Sequence, residues 1–327
     1  MYSVDQFQKL VEKEIAKRSD ELLKHSPAEL YEPIHYSLEM GGKRLRPVLV
    51  LLACNLFSDD VEQALPAAVA IEVFHNFTLL HDDIMDKAAV RRNRAAVHLK
   101  FSENSAILSG DAMAFQSYKY LVETRSPRLI DAISLFTQTA IEVCEGQQFD
   151  MDFETRLEVS AEEYLKMIRL KTAVLLAASL KTGALLGNAD EEASNDLYEF
   201  GIQLGLAFQL QDDLLDTFGD QDTFGKKIGG DILSNKKTYL LIKALENASQ
   251  EQKTALLQWL GKTEFDPNQK ILAITGIYKE IGVKELVEKL VDSYFGQAMN
   301  ILDKLKVGDD RKKPLRELAT KMLTRKK

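Results

Sequence analysis

Cysteine is nearly missing from this chain, with two, Cys54 and Cys144, in 327 residues. Their spacing fits neither a metal site nor a disulfide framework, so both are expected to be reduced core thiols of a cytoplasmic protein. Long apolar runs are missing as well. Residues 1–24 are amphipathic and charged, with no apolar h-region, so no signal peptide is expected. The longest uncharged stretch in the helical core, Phe200 to Gln211, falls well short of the about 20 residues that cross a bilayer, so no integral membrane segment is expected. A basic surplus is absent: 42 Lys and Arg stand against 50 Asp and Glu, a formal net charge of −8, which argues against nucleic acid as a partner. Alternating strand patterns are scarce, and no Gly/Ser-rich linker divides the chain. At 45% hydrophobic and 28% charged residues, this is the composition of an ordinary globular protein.

Helical periodicity is present almost everywhere. Helices are expected near 4–24, 27–40, 44–57, 62–87, 103–124, 127–154, 160–187, 190–219, 234–247, 249–260, 267–281, 283–305 and 312–325. Several carry start signals: Ser126-Pro127 as cap and first-turn proline, Ser160 with Glu163 as a capping box, and Asp266-Pro267 as a second cap-then-proline. Residues 66–81 and 197–211 are apolar nearly all round, as in central helices. The expectation is a single all-α domain over 1–327, a helical bundle with these two segments inside it.

Both central segments end in the same pattern. Asp82-Asp83-Ile84-Met85-Asp86 closes the first and Asp212-Asp213-Leu214-Leu215-Asp216 the second, 130 residues later (212 − 82). On a helix, positions i, i+1 and i+4 lie within an arc of about 100°, so each triplet sets three repelling carboxylates on one face. One such triplet alone is an ordinary solvated helix end. Two in matching apolar contexts, with basic clusters nearby, call for a cation. All-oxygen ligation points to Mg²⁺, which commonly also holds substrate phosphates. The pair implies a cavity with metal sites on facing walls and a diphosphate as ligand.

The basic groups fit that reading. Gly41-Gly42-Lys43-Arg44-Leu45-Arg46-Pro47 combines glycines, which let backbone approach an anion, with cations that hold it; taken alone it is a helix-start turn. Arg91-Arg92 follows the first triplet. Lys171-Thr172 interrupts an apolar helix, where a lysine needs a partner. Lys226 and Lys236-Lys237-Thr238 flank Asp231. His75 lies two turns before Asp82 on about the same face, fitted equally to a core hydrogen bond or a phosphate contact. The glycine-rich segment 219–230 is a candidate cover over the second triplet.

The segments GGKRLRP, LLHDDIMDKAAVRRNRAAVH, SGDAM, EGQQFDMDFE, KTA, GLAFQLQDDLLD and GKKIGGDILSNKKT occur in the order seen in trans-isoprenyl diphosphate synthases, which the chain resembles from about residue 30 to 245. The resemblance implies an all-α bundle around a central cavity, a homodimer, and Mg²⁺-dependent condensation of isopentenyl diphosphate with an allylic diphosphate (dimethylallyl, geranyl or farnesyl). By motif, it implies metal binding by Asp82, Asp83 and Asp86 and by Asp212, Asp213 and Asp216. It assigns Lys43, Arg46, His75 and Arg92 to isopentenyl diphosphate, and Arg91, Lys171, Thr172, Gln209, Lys226 and Lys236 to the allylic diphosphate. Of these, Asp82, Asp83, Asp86, Arg91, Lys171, Asp212 and Lys226 are the expected catalytic set. The chain departs from the family at Asn93 and Asn235, where glycine is common, and near Ala95 and after Tyr239, where proline is.

Two other classes share parts of this pattern. A terpene cyclase pairs one Asp-rich motif with an Asn/Ser/Glu-type motif, whereas the second motif here is a full DDLLD. A non-catalytic synthase subunit need not keep its ligands, and here every candidate ligand is present. Phe77 and Thr78, five and four residues before Asp82, with Phe74 behind them, are the expected chain-length residues. A helical turn rises about 5.4 Å, on the order of one isoprene unit. A bulky residue there beside a small one resembles synthases making geranylgeranyl diphosphate. Farnesyl diphosphate is the nearest alternative, because facing helices, including the one with Met113 and Ser117, also shape the floor; a longer-chain polyprenyl synthase is a more distant one, since such synthases tend to have a small residue there.

Overall fold

The computed structural model describes residues 2–156, 158–219 and 228–324. They fold as helices, apart from one two-stranded hairpin. The chain forms two compact units. One comprises Met1–Thr137, Ala178–Leu197 and Lys306–Leu315, the other Gln138–Ala177, Tyr198–Leu305 and Arg316–Lys327.

In the first unit, α1 (Val4–Leu22), α2 (Ala28–Glu39), α3 (Leu45–Phe57) and α6 (Glu103–Leu121) pack with α4 (Leu65–Met85). Every residue from Ala67 to Phe74 is buried, and each fully buried large apolar side chain contributes about 1.5–3 kcal/mol. The all-round apolar pattern of 66–81 is therefore that of a core helix. Gly110 of α6 lets α4 come close, since a Cβ there would lie 2.2 Å from the His81 ring. His81 hydrogen-bonds the Ile107 carbonyl at 3.1 Å, so the residue beside Asp82 fastens α4 to α6. The short α5 spans Val97–Lys100.

In the second unit, the later part of α7 (Leu129–Thr155), α8 (Ala161–Ile168), the start of α9 (Val174–Leu186) and most of α10 (Glu191–Phe218) are followed by α11 (Gly230–Leu233), α12 (Tyr239–Asn247), α13 (Gln250–Gly261), α14 (Pro267–Ile281) and α15 (Val283–Lys304). The last helix, α16, spans Asp309–Leu323. The Ser160–Glu163 capping box and the Asp266 cap before Pro267 form as the sequence predicts.

Four expectations change. The helix expected at 234–247 begins at Tyr239, because Asn235 takes a left-handed φ of 56° and Thr238 caps the helix. The helix expected at 160–187 is broken by a π turn at Arg169–Ala173. Residues 90–95 form a hairpin, Val90–Arg91 against Arg94–Ala95. Cys144 is exposed on α7, whereas Cys54 is the core thiol expected. A position on the water-facing side of a helix holds no core residue, and the local pattern around Cys144 was too weak to show it.

Candidate active site

In the first unit, α4 brings Asp82 and Asp83 into its last turn, and Asp86 caps it. The hairpin then turns back through Arg92 and Asn93, both left-handed at φ 50° and 62°. That is the geometry of a tight two-residue hairpin turn, and Asn is the residue other than Gly that takes it most readily. The departure from Gly at position 93 is thus accommodated. The turn returns Arg91 to Asp83, which accepts from Arg91 Nε at 3.0 and 3.1 Å and from Nη2 at 2.5 Å. Asp83 is 3% exposed, while Asp82 is half-buried and Asp86 exposed.

Below this lies a group of cations. Gly41, Gly42 and Arg44 all have positive φ, at 73°, 131° and 48°. The strained Arg44 backbone is held by its buried guanidinium, which donates to Glu72 Oε1 at 2.7 Å and to the Leu38 carbonyl at 2.6 Å. Arg92 donates to the Gly41 carbonyl, and at 3.4 Å to Asn76 Oδ1. A Cβ on Gly42 would meet the Arg92 guanidinium at 2.8 Å, so this glycine makes room for the arginine. Arg46 Nη1 lies 3.0 Å from His75 Nε2. Burial, followed by Arg46, Arg92, Arg91 and Arg44, holds the His75 pKa well below its ordinary value. The ring is therefore neutral, and Nε2 accepts from Arg46. Burial also lowers the Arg46 guanidinium to about 10, although Glu72 opposes the shift. Of the four arginines, Arg44 pairs with Glu72 and Arg91 with Asp83. Arg46 and Arg92 make no ion pair among the described residues, and Lys43 is exposed.

In the second unit, α10 carries Asp212, Asp213 and Asp216. Asp213 is 4% exposed. It accepts a hydrogen bond from Tyr164 Oη and another from Gln209 Nε2 at 3.1 Å. Thr172 Oγ1 donates in turn to Gln209 Oε1 at 3.1 Å. Burial, with Asp231 nearby, pushes the Asp213 pKa up, against the hydrogen bond from Tyr164. Burial likewise raises Asp231, although Lys236 opposes the shift. The Asp231 amide donates to Asp216 Oδ2 at 2.9 Å.

Lys171 sits in the π turn, a distortion often found at functional sites. Gly146 of α7 admits that turn, because a Cβ there would lie 2.3 Å from the Lys171 nitrogen. Lys171 Nζ donates to Asp150 Oδ2 at 2.6 Å, and Lys236 Nζ lies 3.8 Å from the same oxygen. Burial works against the Asp150 charge, yet Lys236 and Lys171 together hold its pKa below the usual carboxylate value. Lys226 lies outside the described residues, as does most of the candidate cover at 219–230.

Sequence reasoning assigned no role to Glu72, Asn76, Asp150 or Tyr164. Asp150 lies in the quoted EGQQFDMDFE segment, which was the available signal. Tyr164 stands seven residues before Lys171, and nothing in the local pattern distinguishes it from core.

The donor chemistry fits a hard divalent ion, because each triplet offers carboxylate oxygens only. In both, the middle aspartate is engaged by its neighbours, and the outer two are more accessible. Among the described residues no three acidic, histidine or cysteine side chains already converge on one point. Asp82 with Asp86, and Asp212 with Asp216, would hold Mg²⁺ by a few carboxylates, leaving positions for water and phosphate, as this ion commonly binds.

The model of the polyprenyl synthetase family matches residues 27–277. A geranylgeranyl diphosphate synthase of Methanosarcina mazei is 41% identical over 290 residues, covering 88% of this chain and 87% of the relative. A crystal structure of a geranylgeranyl pyrophosphate synthase superposes with a TM-score of 0.92 at 40% identity, covering 100% of both chains. The Corynebacterium glutamicum geranylgeranyl pyrophosphate synthase, solved with isoprenyl diphosphate and magnesium, matches with a TM-score of 0.89 at 27% identity, over 99% of this chain and 100% of that one. The chain belongs to the polyprenyl synthetase family, as a trans-prenyltransferase with the family's all-α fold.

Proposed function

We propose that the chain is a geranylgeranyl diphosphate synthase, condensing isopentenyl diphosphate head to tail with dimethylallyl, geranyl or farnesyl diphosphate in a Mg²⁺-dependent reaction. The observation that carries this reading is the arrangement common to both triplets: a locked, buried middle aspartate between two more accessible ones. Asp82 and Asp86, and Asp212 and Asp216, hold the metal. Asp83 and Asp213 orient their helices' ends through Arg91 and through Tyr164 and Gln209. Magnesium, when bound, neutralises charge on the allylic diphosphate and favours its departure.

Arg46 and Arg92, with Lys43 and the neutral His75, hold isopentenyl diphosphate; its negative charge answers the two arginines that Glu72 and Asp83 do not balance. Arg91, Lys171, Thr172, Gln209, Lys226 and Lys236 hold the allylic diphosphate. Because hydrogen bonds already fix most of these groups, they stabilise the leaving charge with little reorganisation. Holding the double bond of isopentenyl diphosphate at the allylic carbon supplies much of the rate. The departed diphosphate takes the proton lost after the new bond forms. The whole chain, 1–327, is read as one functional domain.

The chain is also read as a cytoplasmic homodimer. Both thiols are free, and among the described residues no helix is long and apolar enough to cross a membrane. Leu108, Phe115 and Val122 recur every seventh residue along α6 and its cap, 60%, 76% and 52% exposed, and such a seam suits burial against a second copy. Light scattering on the purified protein gives the mass.

Incubating purified protein with labelled isopentenyl diphosphate and farnesyl diphosphate tests the activity. Labelled geranylgeraniol after dephosphorylation, lost on metal chelation, is expected. Unlabelled cyclic hydrocarbon would identify a cyclase, and activity only with a second protein would identify a subunit.

A further inference from the structure

The C-terminal quarter holds a lysine that the surface did not receive. Lys270 of α14 is 0% exposed, and among the described residues it makes no ion pair. Its Nζ donates to Asn235 Oδ1 at 2.7 Å and reaches the Leu233 carbonyl at 3.4 Å. It also lies 4.1 Å from the Phe265 ring centroid. A buried ammonium is costly unless its hydrogen bonds are specific, and these bonds converge on the end of α11.

That end is a tight structure. The Asn235 amide donates to the Ile232 carbonyl at 3.3 Å, and the Lys236 amide to the Asp231 carbonyl at 2.9 Å. With Asn235 left-handed, this is the paired bonding of a Schellman cap. The Asn235 side chain adds what glycine could not: it accepts from Lys270 and donates from Nδ2 to the Leu260 carbonyl at 3.1 Å. At the other end of α11, the Gly229 amide donates to the Asp216 carbonyl at 2.6 Å. A Cβ on Gly229 would lie 2.6 Å from the Ile271 side chain. The adjacent residues Lys270 and Ile271 thus hold α11 at both ends. This short helix is thus bonded at its start to Asp216, of the second triplet, and leads at its end into Lys236, at Asp150.

We propose that Lys270, through Asn235, is a positioning residue for Lys236, so that α14 fixes the cation that meets the allylic diphosphate. The Lys270–Asn235 bond sets the direction in which the chain leaves the cap, and Lys236 is the next residue. This rests on the reading of Lys236 as an allylic diphosphate ligand.

Steady-state kinetics of the full chain with each substrate varied separately test it, using K270M, N235G, K270M/N235G and K236A. K270M is expected to raise the allylic KM about tenfold, with kcat changing less and the isopentenyl KM unchanged. N235G keeps the left-handed backbone but loses the bond from Lys270, so it moves the allylic KM the same way and by a similar factor. The double variant should match K270M, because both changes break one contact. A merely structural lysine would lower Tm and leave the ratio of the two KM values alone. Should K270M not fold, N235G carries the same comparison. An unchanged K236A allylic KM overturns the site reading and the proposal with it. A raised K236A value with unchanged values in the folded Lys270 or Asn235 variants, or with both substrates weakened equally, overturns the proposal alone.

Discussion

Tyr164 and Asp213, 49 residues apart in sequence, share a hydrogen bond in which the buried phenol donates to the buried carboxylate. Its counterpart in the first unit is the pairing of Arg91 with Asp83. In each case the middle aspartate of a triplet is buried against its neighbour, whereas the outer two are more exposed, which separates their roles.

This separation gives contrasting mutants. Asp82→Ala and Asp212→Ala are expected to lose most turnover while circular dichroism keeps its helical signal, since removing one of several like charges relieves repulsion. Tyr164→Phe is expected to retain turnover at saturating Mg²⁺ but to be less stable by about 1–3 kcal/mol, because a buried acceptor loses its donor. Urea unfolding and Mg²⁺ titration of activity measure the two effects. Near-normal kcat in either alanine variant at ordinary Mg²⁺ would count against metal-assisted ionisation.

The cation groups predict a division between substrates. Arg46→Ala should mainly raise the KM for isopentenyl diphosphate, and Lys171→Ala the KM for the allylic substrate, each by about tenfold or more for a lost charge-assisted bond of about 1.5–3 kcal/mol. Equal effects of both variants on both substrates would remove the assignment of two anion sites.

His75 predicts a pH dependence of stability. In the unfolded chain it titrates at about 6.5, whereas in the folded protein burial and the arginines hold it neutral to much lower pH. Below about pH 6.5 the unfolded state therefore binds the extra proton, and stability falls as pH falls through that range toward the folded pKa. His75→Gln keeps an acceptor for Arg46 and removes the titration. Its Tm should drop less than that of the wild type between about pH 7.5 and about pH 5.5. Parallel curves would show that His75 is not the source.

Phe77 is the most exposed prediction on product length. Its ring packs against Phe74 at 5.4 Å and His81 at 4.9 Å between centroids, and Phe74 packs in turn against Phe136 at 5.1 Å. Phe77 is half-buried and Phe74 buried. Phe77→Ala should lengthen the product by about one or two isoprene units of about one helical turn each, and the double variant with Phe74→Ala by more. The stability cost of Phe77→Ala should lie near or below the low end of the usual about 3–5 kcal/mol. Mass analysis of dephosphorylated products decides it: an unchanged distribution from a folded, active variant would mean that the residue is plain core.

What the sequence revealed follows from the range of each interaction. The aspartate triplets, the Asp266 cap and the apolar helix around Val69 are local patterns, legible within a few turns of chain. The pairings of Arg44 with Glu72 and of Tyr164 with Asp213 span 28 and 49 residues, and no local period encodes them. The hairpin at 90–95 was missed because strands of two residues have no alternation to detect. Asn235 was visible only as a departure from glycine; its left-handed backbone gives the departure a physical meaning, and its side chain gives it a use.

The π turn at Arg169–Ala173 has a consequence for how this chain tolerates change in length. Such a turn holds one residue more than the helix around it needs, and each residue of a helix turns the face by about 100°. The extra residue acts as a phase offset. Leu170 and the stretch from Ala173 to Leu180 are buried, while Lys171 and Thr172 between them are only half-buried. Deleting one residue inside the turn would straighten the helix and swing Lys171 away from Asp150, although no charged group had been removed. An equal deletion at the exposed Gly308–Asp310 start of α16 would leave that register untouched.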